Sequence, residues 1–330
     1  MEEKKEPETR ELAEYDEGFV PEYHKRKMRV EIVNAGENPD ANQNDAATGG
    51  ERVVAQTQEV QPASVKKEAS PEMTGKIRIT MTGDTLKDVL AAVKVVNTDV
   101  KFQIRQDGIN ITQIDPAHIC LIKVEIPRTA MMEYWSDTGD MTTDITLDAE
   151  RLSKLMTFRN GDQVTLELET MKQKTVNATI DNGSIKTKIN LLDEYTVTVP
   201  RIPQFTSGDF AVLPTKRFTE TLRTAKLISD AIKITFDRET VTMKASSSEE
   251  ASETVFTTYE MKELVVTEPG KVLYPLEYLE KIAKIARKTD EIRMTLKEDY
   301  PTTIDFYLPV GRGATEKIHI TYFLAPRMEP

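Results

Sequence analysis

The chain has 330 residues, a formal net charge of −11 and one cysteine. That length allows two or three domains, while a lone Cys120 excludes an intramolecular disulfide and any multi-cysteine metal site, and His24, His118 and His319 are too scattered for a zinc motif. No apolar run approaches the roughly 18 residues of a membrane span and no signal-peptide stretch opens the chain, so a cytoplasmic protein with no membrane contact is expected.

Residues 1–72 differ from the rest. They hold Glu-rich runs, an HKRK cluster at residues 24–27, and a stretch at 34–50 with almost no large apolar side chains. Such composition cannot bury enough surface to offset the entropy of ordering, so a disordered N-terminal extension is expected. Residues 29–33 (RVEIV) have strand character but no obvious partner nearby. A well-patterned region begins at Met73.

The first helical pattern covers residues 85–97, with Leu86, Val89, Leu90 and Val93 on one face. Residues 101–111 alternate with period two around Asp107-Gly108, a hairpin signal. A second helix is read over 148–159, then strands at 164–168, 175–180 and 185–191 with a turn at 181–183. Beyond a linker at 193–207 the pattern returns: a helix at 214–228, strands at 232–236, 241–245 and 253–259, a helix at 275–288, and strands at 292–296, 303–308 and 318–323. Leu86, Leu90, Val93 and Lys94 align with Phe218, Leu222, Ala225 and Lys226 at a spacing of about 132 residues, far beyond solenoid periods. VKFQI from Val100 recurs as IKITF from Ile232, and DAERLSKL from Asp148 as PLEYLEKI from Pro275. Two tandem homologous domains follow, 73–192 and 208–330, of α+β class, each with antiparallel sheets and two helices on one face.

Those helices hold roughly 13 basic against 6 acidic residues, about +7, leaving about −18 for the remainder. Lys87, Lys94, Arg151, Lys154, Lys216, Arg223, Lys226, Lys281, Lys284 and Lys288 lie mostly off the apolar stripe, whereas Arg217 and Arg287 fall near its edge. Cations gathered on exposed helix faces of an acidic protein suit a polyanion. The plainer reading is that Lys and Arg are good helix formers on solvated faces. No aromatic ladder or base-reading set accompanies the cations, so nucleic-acid contact would be to phosphates. His118 beside Asp115 and Cys120 also allows a catalytic dyad, but no nucleophile elbow, oxyanion motif or paired carboxylates support it.

Residues 73–330 resemble the DNA sliding clamp, the proliferating cell nuclear antigen family, in its archaeal form. The resemblance rests on LKDVLAAV at 86–93, residues 108–121 around IDPAHI, NLLD at 190–193 and the closing YFLAPRME at 322–329. It implies a homotrimeric ring, two clamp domains per subunit joined by a connecting loop at 193–207, with helices lining a hole around duplex DNA and sheets outside. Lys87, Lys94, Arg151, Lys154, Lys216, Arg217, Arg223, Lys226, Lys281, Lys284 and Lys288 would then meet DNA without sequence preference. The family's groove for apolar and aromatic client motifs would be built from Ile114, His118, Ile119, Leu121, Val199, Pro200, Ile202, Pro203, Phe205, Pro301, Phe323, Leu324, Ala325, Pro326 and Arg327. Subunit edges would pair through Lys186 and Lys188 against Glu249, Glu250 and Glu253. The resemblance further implies a non-enzymatic, nucleoid-associated processivity factor with no cofactor or metal, serving DNA polymerase, flap endonuclease and DNA ligase. With no P-loop in the chain, a separate clamp loader would place it on DNA. The alternative is one subunit of a heterotrimeric clamp.

Overall fold

Ile77, Ile79 and Met81 alternate with Lys76, Arg78 and Thr80, and this period of two makes the first strand of the computed structural model, which describes residues 74–155, 161–171, 174–202, 208–310 and 317–328. The first half runs β1 (Thr74–Thr82), α1 (Gly83–Val93), β2 (Asp99–Arg105), β3 (Gly108–Ile114), β4 (Cys120–Pro127), β5 (Glu133–Ser136), β6 (Thr143–Asp148), α2 (Ala149–Leu155), β7 (Gln163–Met171), β8 (Lys174–Asp181) and β9 (Lys186–Ile189). The second half repeats that order as β10 (Phe210–Pro214), α3 (Thr215–Ile228), β11 (Ala231–Phe236), β12 (Thr240–Ser246), β13 (Ala251–Thr257), β14 (Glu263–Val265), β15 (Gly270–Pro275), α4 (Leu276–Ala286), β16 (Glu291–Thr295), β17 (Thr302–Leu308) and β18 (Ile318–Leu324). The α+β expectation is met by mostly antiparallel sheets and, among the described residues, two α-helices in each half.

The hydrogen bonds repeat as the sequence does. Gly83 N donates to Asp162 O at 2.8 Å and Thr215 N to Asp290 O at 2.9 Å, so each half's first helix takes its opening acceptor from beyond the second helix. Conversely, Ala149 N reaches Thr98 O at 2.8 Å and Leu276 N reaches Asp230 O at 2.9 Å. These reciprocal bonds satisfy N-terminal donors that an isolated helix leaves free. Thr82 caps α1 through its side-chain oxygen, and Asp148 does the same for α2, accepting from Arg151 N at 2.9 Å.

The described strands form three sheets. One has the order β5-β1-β7-β8-β9, another β13-β12-β11-β15, and the largest runs β14-β10-β16-β17-β18-β4-β3-β2-β6. The large sheet is two of the smaller patterns fused, because β18 of the second half pairs with β4 of the first, Phe323 opposite Leu121 and His319 opposite Glu125. The four α-helices of the described residues touch one another in a row: α1 touches α2 and α4, and α3 packs on α4. Their apolar faces are buried, with Val89, Leu90, Phe218, Leu222, Leu279 and Ile282 at 0% exposure. Each such side chain contributes about 1.5–3 kcal/mol of burial. Tyr322 ties the halves together by donating its hydroxyl to Ala92 O at 2.8 Å.

The hairpin at Asp107-Gly108 is present. Gly108 has φ +149°, and a Cβ there would stand 2.1 Å from Ile126 O, so only glycine fits. The expected extension at 1–72, the strand at 29–33 and the end of the second helix beyond Leu155 lie outside the described residues.

Candidate nucleic-acid interface and apolar groove

Helical periodicity sorts the cations from the core. On α3, Phe218, Leu222 and Ala225 turn to the sheets while Lys216, Arg223 and Lys226 are exposed, and none of these three forms an ion pair among the described residues. Arg151, Lys154, Lys284 and Lys288 are also exposed, whereas Lys87, Lys94 and Lys281 are half-buried. Several lysines carry local partners: Lys94 and Lys154 share Glu150, each at 3.2 Å, Lys281 meets Glu277 at 2.7 Å, and Lys284 meets Glu280 at 2.8 Å. Lys154, then Lys94, holds the Glu150 carboxyl below its usual range. Lys288 reaches across to Asp88 of α1 at 2.5 Å, joining the two halves on the helix side. Exposed pairs of this kind contribute only about 0–1 kcal/mol, so a phosphate can replace the carboxylate at little cost.

Arg217 departs from this set. It pairs with Glu260, donates to Val255 O at 2.8 Å and lies 5.0 Å over the Phe256 ring, all at the β13 end of its sheet. Its place at the edge of the apolar stripe turns it to the sheet. Arg287, at the same edge of α4, is exposed.

On the sheet face turned away from the helices, Leu121 and Phe323 form a small apolar cluster separate from the main core, with Ile114 and Ile202 packed against them. Ile114 is the register partner of Leu121, and Leu121 of Phe323, so three adjacent strands supply one row. Ile202 brings the connecting segment over it. Val199 is exposed at 38%, and Pro200 and Pro301 are half-buried. Two expected members are corrected. Leu324 is buried in the main core and Ile119 packs against it, because alternation along β18 sends Leu324 to the face opposite Phe323. Ala325 is also buried, its N–H bonded to Ile119 O at 2.9 Å, and Pro326 is half-buried. Arg327 is exposed but anchored, its backbone to Leu273 O at 2.6 Å and its guanidinium to Asp230 at 2.7 Å. Pro203 and Phe205 lie outside the described residues.

His118 stands exposed at the tip of the turn between β3 and β4 with φ 57°. Cys120, in contrast, is fully buried, and burial pushes its thiol well above the ordinary value. A thiol kept protonated and pointed into the core is no nucleophile, which removes the dyad reading. Among the described residues no group of three or more His, Cys, Asp or Glu is placed to hold a metal. No helix among them is long and apolar enough to cross a membrane.

The two outermost strands of interest are β9 and β13, each ending a sheet. Lys186 and Lys188 project exposed from β9, Lys186 pairing with Glu167. Glu253 is exposed on β13, 3.3 Å from Lys244, and Glu249 and Glu250 occupy the preceding turn.

Comparison with known proteins gives a consistent picture. Residues 78–199 match the family described as proliferating cell nuclear antigen, N-terminal domain. The DNA polymerase sliding clamp of Thermoplasma acidophilum is 32% identical over 256 residues, 77% of this chain and 99% of its own length. That of Picrophilus torridus is 32% identical over 253 residues, covering 76% and 99%. Among solved structures, the C-terminal region of FEN-1 bound to A. fulgidus PCNA aligns with TM-score 0.68 at 25% identity, over 77% of this chain and 99% of that one. PCNA from Thermococcus kodakaraensis aligns with TM-score 0.64 at 22% identity, over 76% and 100%, and speaks to the fold alone.

Proposed function

This chain belongs to the DNA polymerase sliding clamp family, and from that premise we propose that three copies close head to tail into a ring around duplex DNA. The observation that carries the proposal is an unused seam. Within the chain, β18 pairs with β4. In the repeat, the counterparts of β18 and β4 are β9 and β13, and among the described residues both are left as open sheet edges. Two different edges on one chain make a heterologous contact, and such contacts generate rings when the rotation closes. Unpaired edges are otherwise a liability. Lys186 and Lys188 on one edge and Glu249, Glu250 and Glu253 at the other supply opposite charge, which sets partner and direction more than strength.

In that ring the helix layer faces the hole. Lys87, Lys94, Arg151, Lys154, Lys216, Arg223, Lys226, Lys281, Lys284 and Lys288 would touch phosphates transiently, without reading sequence. Topology holds the DNA, so the contacts are free to be weak and mobile. The apolar row of Ile114, Leu121 and Phe323 under Ile202, with His118, Val199, Pro200, Pro301 and Pro326 around it, would receive short apolar and aromatic segments of client enzymes. That a FEN-1 C-terminal segment binds the A. fulgidus neighbour supports this reading. DNA polymerase, flap endonuclease and DNA ligase are the clients in view, and a separate ATP-driven loader opens the ring. The clamp does no chemistry of its own, and encircling DNA places it in the nucleoid.

The first test is solution mass by light scattering across dilution and salt. A persistent mass of three subunits supports the ring; a monomer at every concentration overturns the homomeric reading and favours a heteromeric clamp.

A further inference from the structure

The turn that carries His118 is held from both halves of the chain. Asp115 is 3% exposed, and its carboxylate accepts from Ala117 N at 3.1 Å, Ile119 N at 2.7 Å and Cys120 N at 2.6 Å. A fourth donor is the Tyr278 hydroxyl on α4, 2.9 Å from Oδ2. Among the described residues no cation pairs with this carboxylate. A buried charge without a counter-ion depends on its hydrogen bonds, and removing any one of them leaves lone pairs without solvent to replace it. Burial first, then the neighbouring Asp115, pushes the Tyr278 phenol up, so it remains protonated and able to donate at neutral pH.

The position of this bond matters more than its strength. Ile114 precedes Asp115 directly and Leu121 follows Cys120 directly, so the two ends of the turn are also two members of the apolar row. From the opposite side Ala325 N bonds Ile119 O at 2.9 Å. Tyr278 itself belongs to the helix layer, packs against the main core and carries Lys281 Nζ 5.8 Å from its ring centroid.

We propose that Tyr278 is a positioning residue for client binding: through Asp115 it sets the turn bearing His118, and with it the placement of Ile114 and Leu121 beneath Ile202. The inference rests on the apolar row being the client groove. Affinity for a client segment then depends on a hydroxyl, contributed by the DNA-facing helix layer, that the client never touches.

The test uses the full chain and a fluorescein-labelled peptide of the A. fulgidus FEN-1 C-terminal region, with Ile202→Asp as the groove control. Affinity is read by anisotropy, turn order by amide hydrogen exchange over residues 117–120, and assembly by solution mass. Tyr278→Phe keeps the ring and removes only the donor; it is expected to weaken the peptide about three- to tenfold and to speed exchange at 117–120, with mass unchanged. Asp115→Asn, which leaves one oxygen for four donors, is expected to act in the same direction. Faster exchange with unchanged affinity overturns the positioning role, and unchanged exchange overturns the link itself. Should wild type fail to bind the peptide, or bind it equally after Ile202→Asp, the groove reading falls and this inference with it.

Discussion

His319 lies between two carboxylates on the outer face of the seam where the halves meet. Its Nδ1 is 3.1 Å from Glu125 of β4, its Nε2 is 3.4 Å from Asp305 of β17, and its ring stacks on Tyr307 with centroids 4.6 Å apart. Lys123 also reaches Glu125, at 2.7 Å. The hydrogen bond to Asp305 raises the imidazole above its ordinary value, burial opposes this, and Glu125 adds to the rise. Burial alone would raise Asp305 as well, but His319, Thr321 and Thr303 more than offset it and hold the carboxyl low. A histidine with a raised folded value contributes stability in full below its unfolded pKa, about 6.5, and loses it as pH rises through the folded value. Asp305 behaves oppositely, contributing above the ordinary carboxylate range and losing that contribution as pH falls through its depressed value. We predict that wild type loses thermal stability between about pH 6 and pH 8 and that His319→Gln flattens this slope. Parallel melting curves for the two proteins across that window would show that the imidazole does not charge there.

Among the elements, the strand edges at β9 and β13 are where the proposed ring would close. β9 spans only Lys186–Ile189, and its exposed lysines discourage pairing with any edge that does not bring acid. β13 brings Glu253, with Glu249 and Glu250 in the turn before it. Placing like charges opposite one another across an edge is destabilising by an amount similar to what opposite charges contribute. Lys188→Glu is therefore expected to raise the concentration at which the ring dissociates by about three- to tenfold, an effect that shrinks as salt screens the repulsion. Dilution series by light scattering at low and high salt measure this. A dissociation midpoint that ignores the substitution at low salt would remove β9 from the interface.

Over the whole molecule, charge is segregated: the chain is −11 overall, yet the helix layer is cationic. In the proposed ring, an acidic exterior would repel DNA while the cationic hole accepts it, so DNA would thread the hole and not coat the outside. Arg223→Ala with Lys226→Ala removes two exposed cations that have no ion pair among the described residues, leaving assembly intact. Retention on closed circular duplex should weaken, and the plot of log affinity against log salt should flatten by up to about 0.9 for each phosphate that the variant no longer neutralises. An unchanged slope would place α3 away from the DNA.

Much of this was legible in the chain itself. Duplication at a spacing of about 132 residues, helices at Leu86–Val93 and Phe218–Ala225, and cations off their apolar stripes all follow from local periodicity, which a sequence records directly. Strands were less legible where they ran into helices. β1, β6, β10 and β15 each end at the residue before a helix and went unread, because the helices expected from 85, 148, 214 and 275 carry the stronger periodic signal beside them, and β5 and β14 are too short to show alternation. The packing of Leu324 into the core, the turning of Arg217 to Glu260 and the reach of Tyr278 to Asp115 were decided only by tertiary structure. Periodicity says that a side chain leaves its own element in a given direction; what it meets there depends on an element 38 to 163 residues away. Local pattern alone specified a duplicated chain with cationic helices. The open edges at β9 and β13, and the bond that joins the helix layer to the apolar row, exist only once distant strands and helices have been brought together, because hydrogen bonds across such separations leave no local pattern in the chain.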